Sequence, residues 1–400
     1  MSAGAIGRAS SNLGRTPTRP RRTSVTTIPA TWMRGGTSKC WVFRREDLRV
    51  PGVDLDEVLL ALFGSPDSRQ LDGVGGATST TSKAVILAPS EHEDIDVEYT
   101  FAQVGIEEAK VDWGSNCGNC SAVVAPYAVR SGWVAATGDR TSVRVLNTNT
   151  NQLMVQQVAT SAGGLDDTPT TTIPGVGRPG ARVDLGFVSP AGRSTGALFP
   201  SGERSDLLVA GGRGISATLV DAGAPVVVIR AEDVGLSGTE TPAQLDEQRD
   251  LLSTLDELRR AGAVAMGLAS ETQLAERAIP KLALIAAPVR DPQAKGADLV
   301  VRMLSMGKVH PALPITGSVA LTLAARVPGT VVADLLADEG WSASDEFVML
   351  TPAGTVATTY SVVDGQEVVS AVRTYRRLVE GHIELPLTAV QAQDLESASA

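Results

Sequence analysis

The sequence predicts an α+β protein built as two similar halves, and three observations lead to that reading. Short runs that alternate between apolar and polar residues, or stay apolar, outnumber helical patterns throughout the chain. A turn-rich stretch from Val188 to Gly214 divides it, with the boundary set near residue 190. Each half also holds one small, glycine-bearing turn that runs into an apolar helix. Asn116-Cys117-Gly118-Asn119-Cys120-Ser121-Ala122-Val123 lines up with Ile315-Thr316-Gly317-Ser318-Val319-Ala320-Leu321-Thr322. A chain of 400 residues suits two or three domains of about 150 residues each.

Residues 1–26 carry Arg8, Arg15, Arg19, Arg21 and Arg22 among Ser, Thr and Pro, with no acid before Glu46. Too few large apolar side chains are present to offset the ordering entropy, so a disordered basic arm is expected; an organelle transit peptide has a similar composition. Residues 27–190 form the first expected domain. Its strands are expected at Ala30–Met33, Trp41–Phe43, Lys83–Ala88 and Ile95–Phe101, the last alternating with period two. Helices are expected at Val53–Leu62, which opens on acids and stops at Gly64, and at Ser121–Arg130. Thr160–Gly180 reads as loop. Residues 191–390 form the second domain, whose last strand can cross back to the first. Its clearest helix is Thr241–Leu258, with Pro242 in the first turn and Leu245, Leu251, Leu252, Leu255 and Leu258 on one stripe. Leu282–Ala287 reads as a buried strand, and Thr316–Ala325 repeats the pattern seen at Ser121.

Composition removes several function classes. The chain has 35 Lys and Arg against 45 Asp and Glu, a net charge of −10, and only 4% aromatics. Bulk nucleic-acid binding and charge-driven attachment to anionic lipid are therefore not expected. No apolar run reaches the ~18 residues that span a membrane, and three cysteines make no disulfide framework. No secretory signal pattern opens the chain, so a cytoplasmic, reducing setting is expected.

Helix heads with glycine and small polar residues aim free backbone N–H groups at one spot, with the helix dipole behind them. Two facing heads would clamp a molecule with an acid at each end, although ordinary capping explains either one alone. Cys117 sits where such a head lowers a thiol pKa. Of six lysines (Lys39, Lys83, Lys110, Lys281, Lys295 and Lys308), three end runs of small residues: Gly35-Gly-Thr-Ser-Lys39, Ala77-Thr-Ser-Thr-Thr-Ser-Lys83 and Met306-Gly-Lys308. A lysine in such a segment before an apolar strand is expected to be partly buried, where its proton affinity falls and it can act as a base. His310 lies just before the second turn, and Arg34, beside Gly35-Gly36, can grip a carboxylate bidentately or pair with a surface acid.

Other signals fail. Gly175-Val-Gly177-Arg-Pro-Gly180 fits G-x-G-x-x-G, but Pro174 and Pro179 break it and Ala181-Arg-Val-Asp-Leu alternates like a strand instead of opening a helix. Gly307-Lys308 is followed by Val309, so there is no phosphate-binding P-loop. Cys117-Gly-Asn-Cys120 with only His92, His310 and His382 elsewhere is a poor zinc set, and no metal is expected; a thiol-redox role for the two cysteines stays open as an alternative. His92, in the acidic run Glu91-His-Glu-Asp94, is expected to be solvated.

Several ordered blocks together resemble the PrpF family of 2-methylaconitate isomerases. They are Trp32-Met-Arg34-Gly-Gly-Thr-Ser-Lys39, Leu71-Asp-Gly-Val-Gly-Gly-Ala-Thr-Ser-Thr-Thr-Ser-Lys83, Asp96-Val-Glu-Tyr-Thr-Phe-Ala-Gln103 and Asn116-Cys-Gly-Asn119. Val220-Asp-Ala-Gly-Ala-Pro225, Met306-Gly-Lys-Val-His310 through Thr316-Gly317, and Val372-Arg-Thr-Tyr-Arg-Arg-Leu-Val-Glu-Gly381 continue the match, which runs from about residue 28 to 387. The resemblance implies a diaminopimelate-epimerase-like fold: two pseudo-symmetric α+β domains, each a barrel-like sheet around a central helix, with the site in the cleft between them.

It also implies cofactor-independent acid/base chemistry on a small polycarboxylate of the aconitate, methylaconitate or itaconate kind. A proton leaves carbon beside a double bond and returns elsewhere on the allyl system. The alternative is keto–enol tautomerisation of an oxalomesaconate-like acid. The family's lysine matches Lys83 and its cysteine Cys117, and these are the expected catalytic pair. The expected substrate-binding residues are Arg34, Thr37, Ser38, Gly76, Ser79, Asn116, Gly118, Asn119, Lys308, His310, Thr316, Gly317 and Ser318. Thr316 stands where two-cysteine epimerases carry their second thiol. Two departures from the family pattern stand out, Cys40-Trp41 after the first lysine and Cys120 in place of an apolar residue. No organic cofactor is implied, and a homodimer is left open as the assembly.

Overall fold

In a computed structural model, residues 26–114, 116–161, 163–288 and 296–386 are described. Residues 1–25 of the expected basic arm lie outside them. The first half runs β1 (Thr27–Gly35), β2 (Ser38–Arg44), α1 (Leu55–Phe63), β3 (Lys83–Pro89), β4 (Val97–Val104) and β5 (Val111–Asp112). It continues through α2 (Gly118–Ser121), α3 (Val124–Arg130), β6 (Arg140–Asn147), β7 (Gln152–Ser161), β8 (Gly164–Leu165) and β9 (Ala181–Val188). The second half opens with β10 (Asp206–Ala210), β11 (Arg213–Ala222), β12 (Ala224–Arg230), α4 (Pro242–Asp246) and α5 (Arg249–Ala265). β13 (Lys281–Ala286), β14 (Leu299–Ser305), β15 (Lys308–Val309), α6 (Ile315–Ala324), α7 (Val331–Asp338), β16 (Glu346–Thr351), β17 (Gly354–Val363) and β18 (Gln366–Glu384) complete it.

Pairing in the order β1, β2, β3, β4, β6, β7, β9, β18 and back to β1 closes a barrel in the first half. The second half makes a sheet in the order β10, β11, β12, β13, β14, β16, β17, β18. The two repeat one plan. β2 and β3 are parallel, as are β12 and β13; β4 and β6 are parallel, as are β14 and β16. β18 belongs to both: it pairs with β17 and β9 over its first part and with β1 over Tyr375–Glu384.

Inside each sheet lies a helix of small and apolar residues. All ten residues of α6 are buried, and it packs on β11, β12, β17 and β18, from both ends of its curled sheet. A helix apolar on every side is stable only when surrounded, which explains the weak amphipathic signal of Thr316–Ala325. In the first half α2 packs on β1 and β2, and α3 on β4, β6 and β7. The amphipathic α1 and α5 cover separate apolar clusters on the outer faces.

Four sequence expectations need correction. Ser121–Arg130 is not one helix but α2 and α3, broken around Ala122–Val123. In a continuous helix Pro126 would press on the Ala122 carbonyl, whereas after the break it sits in a first turn that needs no N–H. Thr241–Leu258 also divides. Thr241 and Gln244 form a reciprocal capping box at the start of α4, and its last residue, Asp246, accepts the Val309 N–H at 3.1 Å before α5 begins and runs on past Leu258. Val188–Gly214 contains β10 and the start of β11, and Thr160–Gly180 holds β8.

Candidate active site

Between the halves lies a narrow cleft, about 500 Å³ of empty space counting its open mouth. Its walls come from the start of β3, the head of α2, the start of β13 and the head of α6. The helix heads nearly touch, since a Cβ on Gly118 would lie 3.0 Å from that of Ile315. Gly36, at a positive φ, lets the β1–β2 turn lie against Asn119, whose side chain any Cβ there would strike. The Asn119 carboxamide oxygen accepts the Thr37 N–H at 3.4 Å. Local glycine chemistry thus seats the head of α2 against the barrel wall.

Lys83 is the first residue of β3 and 8% exposed. Register places it opposite Gln103 on β4, whose Oε1 accepts from Lys83 Nζ at 2.5 Å while its Nε2 donates to the Ser82 carbonyl. The ammonium also lies 4.9 Å from the centre of the Phe101 ring. A buried lysine is thereby aimed by one polar partner and one aromatic face.

Cys117 caps α2, and its Sγ accepts the Cys120 N–H at 3.4 Å. The expectation of a lowered thiol pKa is overturned. Hydrogen bonding to the Cys120 side chain, then burial, hold the Cys117 proton well above the ordinary thiol range, and the nearby Lys83 charge opposes this only in part. Cys120 itself is fully buried and within reach of the Cys40 thiol as well, so the three cysteines form one chain under the cleft floor.

Nine of the sequence-selected residues line the cleft: Ser38, Ser79, Lys83, Asn116, Cys117, Gly118, Asn119, His310 and Thr316. Asn116 is 3% exposed, yet among the described residues neither its carboxamide oxygen nor its nitrogen has a partner. His310 is neutral, its pKa lowered to about 3 by burial and then by the Lys83 charge. Its Nδ1 accepts the Ala312 N–H at 3.1 Å, which fixes the proton on Nε2 as a free donor.

The remaining expected residues stand elsewhere. Arg34 does not face the cleft: its Nη1 donates to the carbonyls of Gly36 and Thr374 and to the Thr374 hydroxyl, tying β1 to β18. Thr37 sits just behind Ser38 with its hydroxyl buried and unpartnered. Gly76 packs on Thr81 and Gly317 on Met303. Ser318 is buried, its hydroxyl donating to the Ile315 carbonyl at 2.8 Å, and Lys308 is exposed on β15.

Sequence reasoning missed Thr80, Gln103, Ser305 and, above all, Lys281. Lys281 is 6% exposed, begins β13 and lines the cleft. Burial lowers its pKa to about 8, with Cys117 as the largest opposing influence. A signal was present: like Lys83, it directly precedes an apolar strand run. Among the described residues no carboxylate lines the cleft, although acids outnumber bases in the chain. No group of side chains suited to holding a metal occurs there either, and no helix is long and apolar enough to cross a membrane.

Known proteins are similar to this chain over most of its length. The 4-oxalomesaconate tautomerase of Pseudomonas putida is 38% identical over 89% of this chain and 95% of its own length. The 2-methyl-aconitate isomerase of Shewanella oneidensis is 37% identical over 90% of this chain and 97% of its own. Among solved structures, a methylitaconate-delta-isomerase superposes with a TM-score of 0.74 at 36% identity, covering 91% of this chain and 98% of that one. A hydroxyproline epimerase from Agrobacterium vitis, with a TM-score of 0.53 at 13% identity over 92% and 95% of the two chains, shares the fold alone. The two halves therefore make up a diaminopimelate-epimerase-like fold. The model of the family described as PrpF protein matches residues 25–386, and the chain is an isomerase belonging to that family.

Proposed function

We propose that the protein shifts a proton, and with it a double bond, in a small unsaturated di- or tricarboxylic acid of the aconitate or itaconate type. The observation that carries this reading is the cleft's polarity. Two buried lysines, a neutral histidine donor and an asparagine without a partner face one space that, among the described residues, no acid enters. Such a lining suits a ligand bearing several carboxylates, which would satisfy Asn116 and the first N–H groups of α6.

In this reading Lys83 takes the proton from the carbon beside the double bond. The electron pair moves into the alkene and the attached carboxylate, giving an extended enolate held by the surrounding cationic and N–H donors. The Cys117 thiol, kept protonated by its surroundings, delivers a proton to the other end of the allyl unit, and the roles reverse in the opposite direction. Asn116, Asn119, His310 and Thr316 hold the carboxylates. A keto–enol tautomerisation of an oxalomesaconate-like acid uses the same groups, and the tautomerase relative supports it as the second reading.

Proton NMR in deuterated water against a panel of unsaturated polycarboxylates tests the proposal. At least one aconitate- or itaconate-type acid is expected to gain deuterium at an allylic carbon and convert to its isomer. Exchange confined to keto acids would favour the second reading, and no exchange in any acid would remove both.

A further inference from the structure

The internal repeat places a second lysine where the first half has Lys83. Lys83 starts β3, parallel to β2 and antiparallel to β4; Lys281 starts β13, parallel to β12 and antiparallel to β14. Gln103 faces Lys83 across the β3–β4 pair. The corresponding neighbour of Lys281 is Ser305, one step beyond the Leu282–Leu304 pair, and it too lines the cleft. At the helix heads the repeat is broken, with Cys117 in one half and Thr316 in the other. The second half therefore offers no thiol, and a threonine hydroxyl is too weak an acid to replace one. Four titratable side chains line the cleft among the described residues: Lys83, Cys117, Lys281 and His310. His310 is excluded from proton transfer by its engaged Nδ1 and its very low proton affinity.

We propose that Lys281 is a second catalytic amine, which handles the proton at the end of the allyl unit facing the second half, as Lys83 does at the end facing the first. This deepens the isomerase reading and rests on it. Removing a proton at one carbon and adding one two bonds away asks for a proton-carrying group near each carbon, because a buried, hydrogen-bonded lysine such as Lys83 cannot sweep between them without breaking its Gln103 contact. The balance is simple. A neutral amine takes the allylic proton and becomes an ammonium; the pair forms the enolate; the opposite ammonium gives its proton to the distal carbon and becomes an amine. The two lysines have exchanged states, no oxidant or reductant is needed, and proton exchange through the open mouth resets them. Lys281 thereby takes the donor role that the reading above gives to the Cys117 thiol, which interacts electrostatically with both lysines.

Lys281 is held by little else. Its Nζ donates to the Ala278 carbonyl at 3.3 Å, and the charged or titratable groups that face it are Cys117 on α2, Lys83 on β3 and Asp112 on β5, with His310 nearby. Burial makes its neutral form accessible near pH 8. In the direction in which Lys83 takes the proton, Lys281 has to carry the proton it delivers, so kcat/KM is expected to fall as pH rises through about 8; in the opposite direction Lys281 is the base, and kcat/KM is expected to rise through about pH 8.

The test is Lys281→Gln beside Lys83→Gln, each checked by circular dichroism, with the acid that the wild-type protein converts. Lys281→Gln is expected to lose isomer formation at least a hundredfold while deuterium still enters the starting carbon at a rate within about tenfold of wild type. Its remaining exchange should not fall through pH 8 as wild-type conversion does, and small primary amines added to Lys281→Ala should restore part of the conversion. Lys83→Gln should lose both readouts. Conversion within a few-fold of wild type in Lys281→Gln overturns the proposal, as does parallel loss of exchange and conversion with binding retained, which would make Lys281 a carboxylate holder only. If Lys281→Gln does not fold, rescue of Lys281→Ala by amine and the pH profile of Lys281→Arg decide the matter, an unshifted limb counting against it. A wild-type protein inert toward every acid tried would instead sink the isomerase reading itself.

Discussion

Replacing Lys83 with glutamine is expected to lower kcat/KM by about 10³- to 10⁴-fold while leaving the thermal midpoint within a few degrees of wild type. The side chain is isosteric over most of its length, and the Gln103 carboxamide can still accept from the new amide. What disappears is the group that takes the proton. Charge also goes, so KM should rise as well, but by less than kcat falls. Steady-state kinetics across the acid panel measures both. A variant retaining more than about a tenth of wild-type turnover would remove Lys83 from the chemistry.

Asn116→Asp is expected to raise KM by about 10²-fold with a smaller change in kcat. The substitution is nearly isosteric but places a carboxylate, almost fully buried, in a cleft that no other acid among the described residues lines. Repulsion between that charge and a substrate carboxylate about 4–5 Å away costs roughly 3–4 kcal/mol at an effective dielectric near 20. The sign of the pH dependence follows. Protonating the new acid removes the repulsion, so KM should fall again as pH drops, a trend absent from Asn116→Leu. An unchanged KM in Asn116→Asp would show that substrate carboxylates do not approach this position.

How much of this was readable from the residues differs element by element. The central helices were visible as two glycine-headed apolar runs, because a helix enclosed by a sheet has to be small and apolar on all sides. The break in the first of them was also present in the sequence at Pro126, but the run of small residues around it hid the interruption. Lys83 and Cys117 stood out through their neighbours: a Gly, Thr and Ser segment before a strand, and an asparagine–glycine turn before a helix. Lys281 did not, since Pro280 replaces the small residues and only the pairing of β13 with β12 reveals its equivalence to Lys83.

Arg34 was misplaced for the opposite reason. Its local neighbours suggest an open anion site, while the partner that occupies it, Thr374, lies 340 residues away on the strand shared by both halves. Gln103 belongs to the same class, a strand residue whose importance depends on the register opposite Lys83. The state of the Cys117 thiol turned on Cys120, three positions on. Helix-head reasoning accounted for the N–H groups and dipole but not for a second thiol able to accept the first one's proton.

The central claim is that one cleft presents Lys83, Cys117 and Lys281 to the same bound polycarboxylate. Crystals of the protein grown with a saturated tricarboxylic acid such as tricarballylate, which has no allylic proton to lose, test it most directly. The account predicts one carboxylate against the Asn116 carboxamide, another at the head of α6 within reach of His310 Nε2, and the carbon chain lying between the two lysine nitrogens. An acid bound outside the cleft, or one whose carbons lie beyond contact of both amines, would contradict it.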